Sequence, residues 1–121
     1  MNFSCRDIND NDFKEIIALN TRFESYLSPL DNSKLLFLLK ESIFTKSIRV
    51  KQKLIGFLIT IPPNSVYNSI NYDWFNKKYN SFIYIDRVCI SNEFQRYGLG
   101  QYFYDEVKNN FKKNTKRMVC E

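Results

Sequence analysis

Histidine does not occur among the 121 residues of this sequence, and glycine, proline and cysteine occur three times each. The absence of histidine excludes Ser-His and Cys-His nucleophile systems and the usual zinc ligand sets, so no metal site is expected. The cysteines, Cys5, Cys89 and Cys120, are odd in number and far apart, which favours free thiols in a reducing cytoplasm over a disulfide framework. No apolar run approaches the ~20 residues of a membrane span, and the first residues lack the pattern of a secretory signal, so we expect no membrane partner.

The composition is that of a folded domain, because 44% of the residues are hydrophobic and 26% are charged. No linker, repeat or low-complexity tract interrupts the chain, so we expect a single domain over residues 1–121. The net charge of +5 favours an anionic partner, but it does not choose between a nucleic acid, a membrane surface and a phosphorylated cofactor.

Hydrophobic periodicity predicts an α/β domain with the element order α-α-β-β-loop-β-α-β. The pair Asp12 and Glu15 indicates the capped start of a first helix, which Pro29 ends, and Asp31 indicates the start of a second helix. The apolar residues of the first helix fall on one face: Ile16, Leu19, Phe23 and Tyr26 or Leu27. The aromatic-rich residues 64–81 are expected to form a long loop that either lines an acceptor pocket or covers the sheet. Strands are predicted around Ile48, from Leu54 to Ile61, from Phe82 to Ile90 and from Lys116 to Cys120.

The segment Gln95-Arg96-Tyr97-Gly98-Leu99-Gly100 joins the third strand to a helix whose apolar residues recur every four positions from Leu99 to Phe111. The first turn of a helix presents N–H groups without intrahelical partners at the positive end of the helix dipole. Glycine lets the backbone approach a phosphate closely and Arg96 adds a cation, so the segment predicts an anion-binding turn. The alternative is a tight turn without a ligand. The segment lacks the Gly-Lys-Ser/Thr of a Walker loop and the third glycine of a dinucleotide-binding motif.

A hydrophobic strand followed by Gln/Arg-x-x-Gly-x-Gly at the head of an amphipathic helix resembles motif A of the GNAT superfamily of N-acetyltransferases. Segments similar to a bacterial branch of predicted GNAT acetyltransferases follow one another over most of the chain: Ser28–Asp31, Gly56–Leu58, Asn71–Phe75, Tyr84–Val88, Gly98–Tyr104 and Val119–Glu121. The resemblance implies a GNAT-type acyl-CoA N-acyltransferase fold, α/β (α+β), with a mixed central sheet flanked by helices. It also implies an enzyme that transfers an acetyl group from acetyl-CoA to a primary amine of a small molecule or peptide.

The same resemblance implies where acetyl-CoA or CoA would bind. The main chain of Val88, Cys89 and Ile90 would pair with the pantetheine arm, and the amides of residues 95–100 would hold the pyrophosphate. The amine would attack the thioester directly, and a backbone amide at a strand bulge near Val88 to Ile90 would stabilise the oxyanion. Arg96 departs from many members of the family, which have glycine at that position.

A further departure lies at the last strand. Family members usually continue beyond it with a helix and two more strands, so the resemblance implies that the C-terminal part of the fold is missing. The outer edge of this strand, with Met118 and Val119, would then be uncovered, and so would part of the apolar stripe of the preceding helix. We therefore expect a homodimer or another assembly that covers this edge, or a fragment of a longer product.

Two other functions stay open beside acetyl transfer. The first is a truncated, non-catalytic module that binds CoA or a protein partner. The second is nucleic-acid binding, which the basic charge and the aromatic content of 17% suggest, although the signatures of the common RNA-binding modules are absent.

Two side chains on the third strand are candidates for chemistry. Asp86 could take the proton of the attacking amine, directly or through water, and the alternative is an ion pair with a nearby arginine or lysine. Cys89 could carry a covalent acetyl group, but no neighbouring base activates it, which favours a small buried hydrophobe.

Overall fold

One mixed sheet organises the part of the chain that this computed structural model describes, residues 1–111 and 117–120. Its strands lie in sequence order and are β1 (Ser4–Arg6), β2 (Phe44–Val50), β3 (Lys53–Ile61), β4 (Ile83–Ile90) and β5 (Met118–Cys120). The helices are α1 (Phe13–Thr21), α2 (Asn32–Glu41), α3 (Ile70–Lys78) and α4 (Leu99–Phe111). Strands β1 to β4 pair antiparallel with one another, whereas β5 pairs parallel with β4. This architecture confirms the expected mixed sheet flanked by helices.

The two faces of the sheet bury separate apolar clusters. Along β3, Phe57, Ile59 and Ile61 belong to the cluster formed with α1 and α2, whereas Leu58 belongs to the cluster formed with α4. This alternation follows from the two-residue period of a strand. The sheet is therefore covered on both faces, by α1 and α2 on one side and by α4 on the other.

Helix α4 begins at Leu99, as the four-residue spacing predicted, whereas its predicted end at residues 112–114 lies outside the described residues. Its residues Leu99, Phe103 and Val107 are 3%, 0% and 1% exposed. The expectation that this stripe would lose part of its cover is wrong for these three residues, because they pack against a continuous apolar face of the sheet, whereas Phe111 is half-buried. That face is formed by Ile48, Ile55, Leu58, Ile83 and Ile85.

The pairing of β5 with β4 confirms the prediction of a parallel neighbour. Ile83 is opposite Met118 and Ile85 is opposite Cys120, so β5 pairs with the first part of β4. On that side, no described strand pairs with residues 86–90 of β4. The second half of β4 thus has a main-chain edge without a strand partner in the described part of the chain.

The segment 64–81 is not the continuous loop that the sequence predicted, because it contains α3. Ser69 caps this helix by accepting a hydrogen bond from the amide of Tyr72 at 3.0 Å. Tyr72 is the buried residue of α3, and with Tyr67 it joins the core cluster beside α1 and α2. The segment therefore covers the sheet, which was one of the two alternatives. A nine-residue helix with one buried side chain has too little apolar periodicity to be recognised from sequence.

The first helix is also shorter than predicted, since α1 ends at Thr21 and the chain turns before Pro29. Tyr26, which was assigned to the buried face, is 85% exposed. Strand β1 was not predicted at all, because three residues carry too little pattern. Within residues 1–111 and 117–120, no helix has the length and apolar character needed to cross a membrane.

Candidate functional site

The turn after β4 is held by main-chain and side-chain hydrogen bonds. The amide of Ser91 donates to the carbonyl of Ile55 at 2.7 Å, which anchors the end of the strand to β3. The side-chain amide of Gln95 donates to the carbonyl of Ile90 at 3.1 Å and to Asn92 Oδ1 at 3.2 Å. Gln95 therefore shapes the turn through its side chain and through its amide, which donates to the carbonyl of Asn92 at 3.4 Å.

The start of α4 offers open space beside its free amides. Arg96 and Gly98 have left-handed backbones, with φ of 72° and 80°, so the turn needs glycine at position 98. The amide of Tyr102 donates to the carbonyl of Gly98 at 2.9 Å, so the amides before it have no carbonyl within the helix. A Cβ built at Gly98 or Gly100 would meet no heavy atom within 4 Å. This is the space that a phosphate needs at a helix N-terminus.

The side chains around this turn separate by exposure. Arg96 and Tyr97 are exposed, so the guanidinium can reach an anion bound at the turn. Leu99 is 3% exposed and packs into the core, so it could contact a ligand only through its main chain. The predicted segment thus forms one continuous turn, but its residues could serve a ligand in different ways.

A pocket of about 420 Å³ lies along the second half of β4. Its lining includes four residues that the sequence assigned to cofactor binding: Val88, Cys89, Ile90 and Gln95. The opposite wall was not predicted and consists of Phe23, Tyr26 and Leu27, with Asn92 completing the lining. These side chains were missed as site residues because a continuous helix through residue 27 would have placed them on a core-facing stripe. The break of α1 at Thr21 brings them over β4 instead.

Cys89 lies in this pocket wall but is 4% exposed. Burial raises the pKa of its thiol to about 12, against the opposing effect of Arg22 and Arg87. The thiol is therefore neutral at physiological pH, and a neutral thiol is a poor nucleophile. This environment fits the small buried hydrophobe better than an acetyl carrier.

Asp86 and Arg87 form a buried ion pair, each residue being 3% exposed. Arg87 Nε lies 2.9 Å from Asp86 Oδ2, and the hydroxyl of Tyr67 donates to the other carboxylate oxygen. Burial, followed by the charge of Asp86, raises the pKa of the Tyr67 hydroxyl, so it stays a proton donor. Both carboxylate oxygens thus have partners within the fold.

The bulge of β4 lies at Asp86, earlier than the expected position near Val88 to Ile90. Ile85 is opposite Thr60 and Arg87 is opposite Ile59, which leaves Asp86 as the extra residue. From Arg87 to Ile90 the pairing with β3 is regular. Because a bulge breaks the alternation of side chains, Asp86 and Arg87 can bond to each other on one face. The sequence offers no glycine or proline signal for this irregularity.

The described residues hold no group of three or more cysteine, aspartate or glutamate side chains arranged for a metal ion. The pocket along β4 and the turn at α4 share Gln95, so a single extended ligand with an anionic end could occupy both.

No protein-family model matches the sequence, and no curated protein matches it as a relative. Solved structures do match. The ribosomal-protein-alanine N-acetyltransferase from Brucella melitensis biovar Abortus aligns with 100% of this chain and 80% of its own length, at a TM-score of 0.72 and 14% identity. A GNAT family acetyltransferase from Staphylococcus aureus aligns with 100% of this chain and 87% of its own, at a TM-score of 0.65 and 19% identity. The chain has the GNAT acetyltransferase fold.

The N-acetylglutamate synthase from Neisseria gonorrhoeae, solved with coenzyme A and N-acetyl-glutamate, shares this GNAT fold. It aligns with 98% of this chain and 25% of its own length, at a TM-score of 0.71 and 15% identity. The shared feature at these identities is the fold, which confirms the architecture that the motif-A segment implied.

Proposed function

We propose that this chain transfers an acetyl group from acetyl-CoA to a primary amine by direct attack. The observation that carries the proposal is the open turn of Gly98 and Gly100 at the start of α4, continuous with the pocket along β4. Support comes from structures with the same fold, which are acetyltransferases, and from one of them that was solved with coenzyme A.

The residues present fit the two ends of such a molecule. The amides at the start of α4 and the guanidinium of Arg96 would hold the pyrophosphate, because both present positive charge toward open space. The main chain of Val88 to Ile90 would pair with the pantetheine arm along an edge of β4 that has no described strand partner. Acetyl-CoA supplies an acyl group that is already activated as a thioester.

Direct attack fits the side chains of the pocket. Cys89 stays neutral, so no residue of this wall offers a thiolate for a covalent step. A main-chain amide of β4 beyond the bulge at Asp86 would stabilise the oxyanion as a preorganised donor. Asp86 as the proton acceptor stays a prediction. Its engagement with Arg87 and Tyr67 supports the structural alternative.

The acceptor that we propose is a primary amine of a small molecule or peptide. Neighbours of this fold differ in this respect, since one is a ribosomal-protein-alanine N-acetyltransferase and another an N-acetylglutamate synthase. We further propose a cytoplasmic setting, which the free thiols of Cys5 and Cys89 support. A homodimer or other assembly would cover the outer side of β5, where no described strand pairs.

Calorimetry with acetyl-CoA on the wild-type chain and on Gly100→Ala tests the proposal. A methyl group at Gly100 meets no protein atom, so the variant should fold but bind acetyl-CoA about tenfold or more weakly, because the methyl group enters the phosphate space. Gln101→Ala, an exposed change in the same helical turn, is the matched control and should keep wild-type affinity.

The release of CoA thiol in the presence of a panel of small amines and peptide N-termini then tests turnover. Binding without turnover over the whole panel would favour the non-catalytic module. Equal acetyl-CoA affinity of the wild type and Gly100→Ala would contradict the proposed site, and tight binding of an oligonucleotide in place of acetyl-CoA would favour nucleic-acid binding.

A further inference from the structure

The guanidinium of Arg87 reaches two places in the chain that lie eight residues apart. Its Nη1 atom donates to Asn20 Oδ1 at 3.1 Å and to the carbonyl of Ser28 at 3.0 Å. Its Nη2 atom donates to Ser28 Oγ at 2.8 Å. The side-chain amide of Asn20 also donates to the carbonyl of Ser28 at 3.0 Å. The buried guanidinium of Arg87 therefore links Asn20, near the end of α1, to Ser28, at the end of the turn that follows.

The residues between these two points form the pocket wall. Phe23, Tyr26 and Leu27 face Val88 to Ile90 across the pocket of about 420 Å³. We call residues 21–28 the wall segment. Its own hydrogen bonds are short-range turns, such as Leu27 N to the carbonyl of Phe23 at 2.8 Å. Phe23 and Leu27 pack against the core cluster that includes Cys89, and the described hydrogen bonds from β4 to the wall segment come from Arg87.

We propose that Arg87 is a positioning residue that holds the wall segment against β4. It thereby determines how tightly the pocket binds the acyl-pantetheine arm of the ligand. The proposal rests on the proposed function, because it takes the pocket as the site of that arm. It assigns Arg87 no role at the turn before α4, which is built from the residues that follow β4.

The bulge at Asp86 makes this arrangement possible. Arg87 Nε bonds Asp86 Oδ2, which compensates the buried charge, while the other guanidinium nitrogens point to the wall segment. A buried ion pair contributes little net stability compared with apolar packing, so its value here lies in the directed hydrogen bonds. Only arginine presents a rigid fork of donors, whereas lysine keeps the charge without the fork.

Arg87→Lys and Ser28→Ala test the proposal. Arg87→Lys keeps the charge beside Asp86, and Ser28→Ala removes one acceptor at an exposed residue, so this second variant should fold normally. Lys34→Met is the matched control, because Lys34 also donates to Ser28 Oγ, at 3.3 Å, without contacting Arg87.

Calorimetry with two ligands distinguishes binding in the pocket along β4 from binding at the turn before α4. Both test variants should bind acetyl-CoA about 3- to 10-fold more weakly, as expected for the loss of one or two hydrogen bonds. They should bind adenosine 3′,5′-bisphosphate, which carries no pantetheine arm, as the wild type does. Equal weakening for both ligands, or no change for either in folded variants, would overturn the proposal.

Hydrogen exchange without ligand gives an independent reading. Amides of residues 21–28 should exchange faster in Arg87→Lys and Ser28→Ala than in the wild type and Lys34→Met, while amides of β4 keep their protection. Unchanged exchange in the wall segment would contradict the role of Arg87 whatever the ligand results. If the wild type binds neither ligand, the proposed function is contradicted. The attachment of the wall segment by Arg87 would still be established if residues 21–28 exchange faster in the two test variants.

Discussion

At the residue scale, Gly56 lies at a close contact between β3 and β4. It is opposite Ile90, and a Cβ at this position would lie 2.8 Å from Ile90 Cδ1 and 3.1 Å from the carbonyl oxygen of Cys89. The isoleucine side chain can rotate, but the carbonyl can move only if β4 shifts. The glycine therefore lets β3 and β4 approach at the point where the pocket begins.

Gly56→Ala should lower the free energy of unfolding by about 1–3 kcal/mol, because overpacking forces this shift of β4. Urea unfolding measures the change. Gly100→Ala is the contrasting control, since its methyl group points into open space and alanine favours a helix by roughly 1 kcal/mol over glycine. A wild-type unfolding midpoint for Gly56→Ala would show that the neighbours relax freely.

The two interpretations of Asp86, a general base and a structural ion-pair partner, predict different results for the same variant. Asp86→Asn leaves the guanidinium of Arg87 buried without its counter-charge, so the free energy of unfolding should fall by about 3–5 kcal/mol. The acetylation rate per folded molecule should change little if the role is structural. An unchanged melting temperature together with a lost rate would instead establish Asp86 as the general base.

At the scale of elements, α3 is short and depends on its cap. Ser69 accepts from the amide of Tyr72, and Tyr72 is fully buried against Tyr84 and Phe82. The helix therefore links a surface cap to the core on the face of the sheet that carries α1 and α2. The cap therefore contributes to the stability of α3 and of the aromatic contacts of Tyr72.

Ser69→Ala should cost about 1 kcal/mol of stability, the usual value of an N-cap hydrogen bond. Thermal unfolding compares it with Ser69→Asp, which restores an acceptor at the positive end of the helix and should match the wild type. Equal loss in both variants would mean that the hydroxyl of Ser69 has a role other than capping.

At the scale of the whole molecule, helices of the same chain cover both faces of the sheet, so the sheet edge is the part of the sheet that is open to assembly. Met118 and Val119 are half-buried, and they pack against the core clusters on opposite faces. Among the described residues, no strand pairs with the main chain of β5 on the side away from β4. An edge of this kind pairs with another strand by hydrogen bonding.

Sedimentation velocity over micromolar concentrations should therefore show an average mass that rises from monomer to dimer. The physical reason is the pairing of the outer main-chain groups of β5, which is favourable only once two chains meet. A folded species that stays monomeric over the whole concentration range would contradict assembly through this edge. The melting temperature, measured at the same concentrations, should rise with them if pairing stabilises the fold.

Local patterns in the sequence were enough for the elements with strong periodicity. The four-residue spacing placed the start of α4 at Leu99, and the apolar runs of β3 and β4 were placed within one residue of their ends. The turn of Gly98 was recognisable because few residues tolerate its backbone conformation. Each of these features depends on neighbours in the chain.

Contacts between distant residues set the rest. The turn after Thr21 brings Phe23 over β4, and the bulge at Asp86 directs Arg87 toward Ser28, 59 residues earlier in the chain. Neither feature has a local signature, because each is stabilised by partners that only folding brings together. The turn before α4 could therefore be predicted from a short segment, whereas the pocket wall and its attachment depend on tertiary packing.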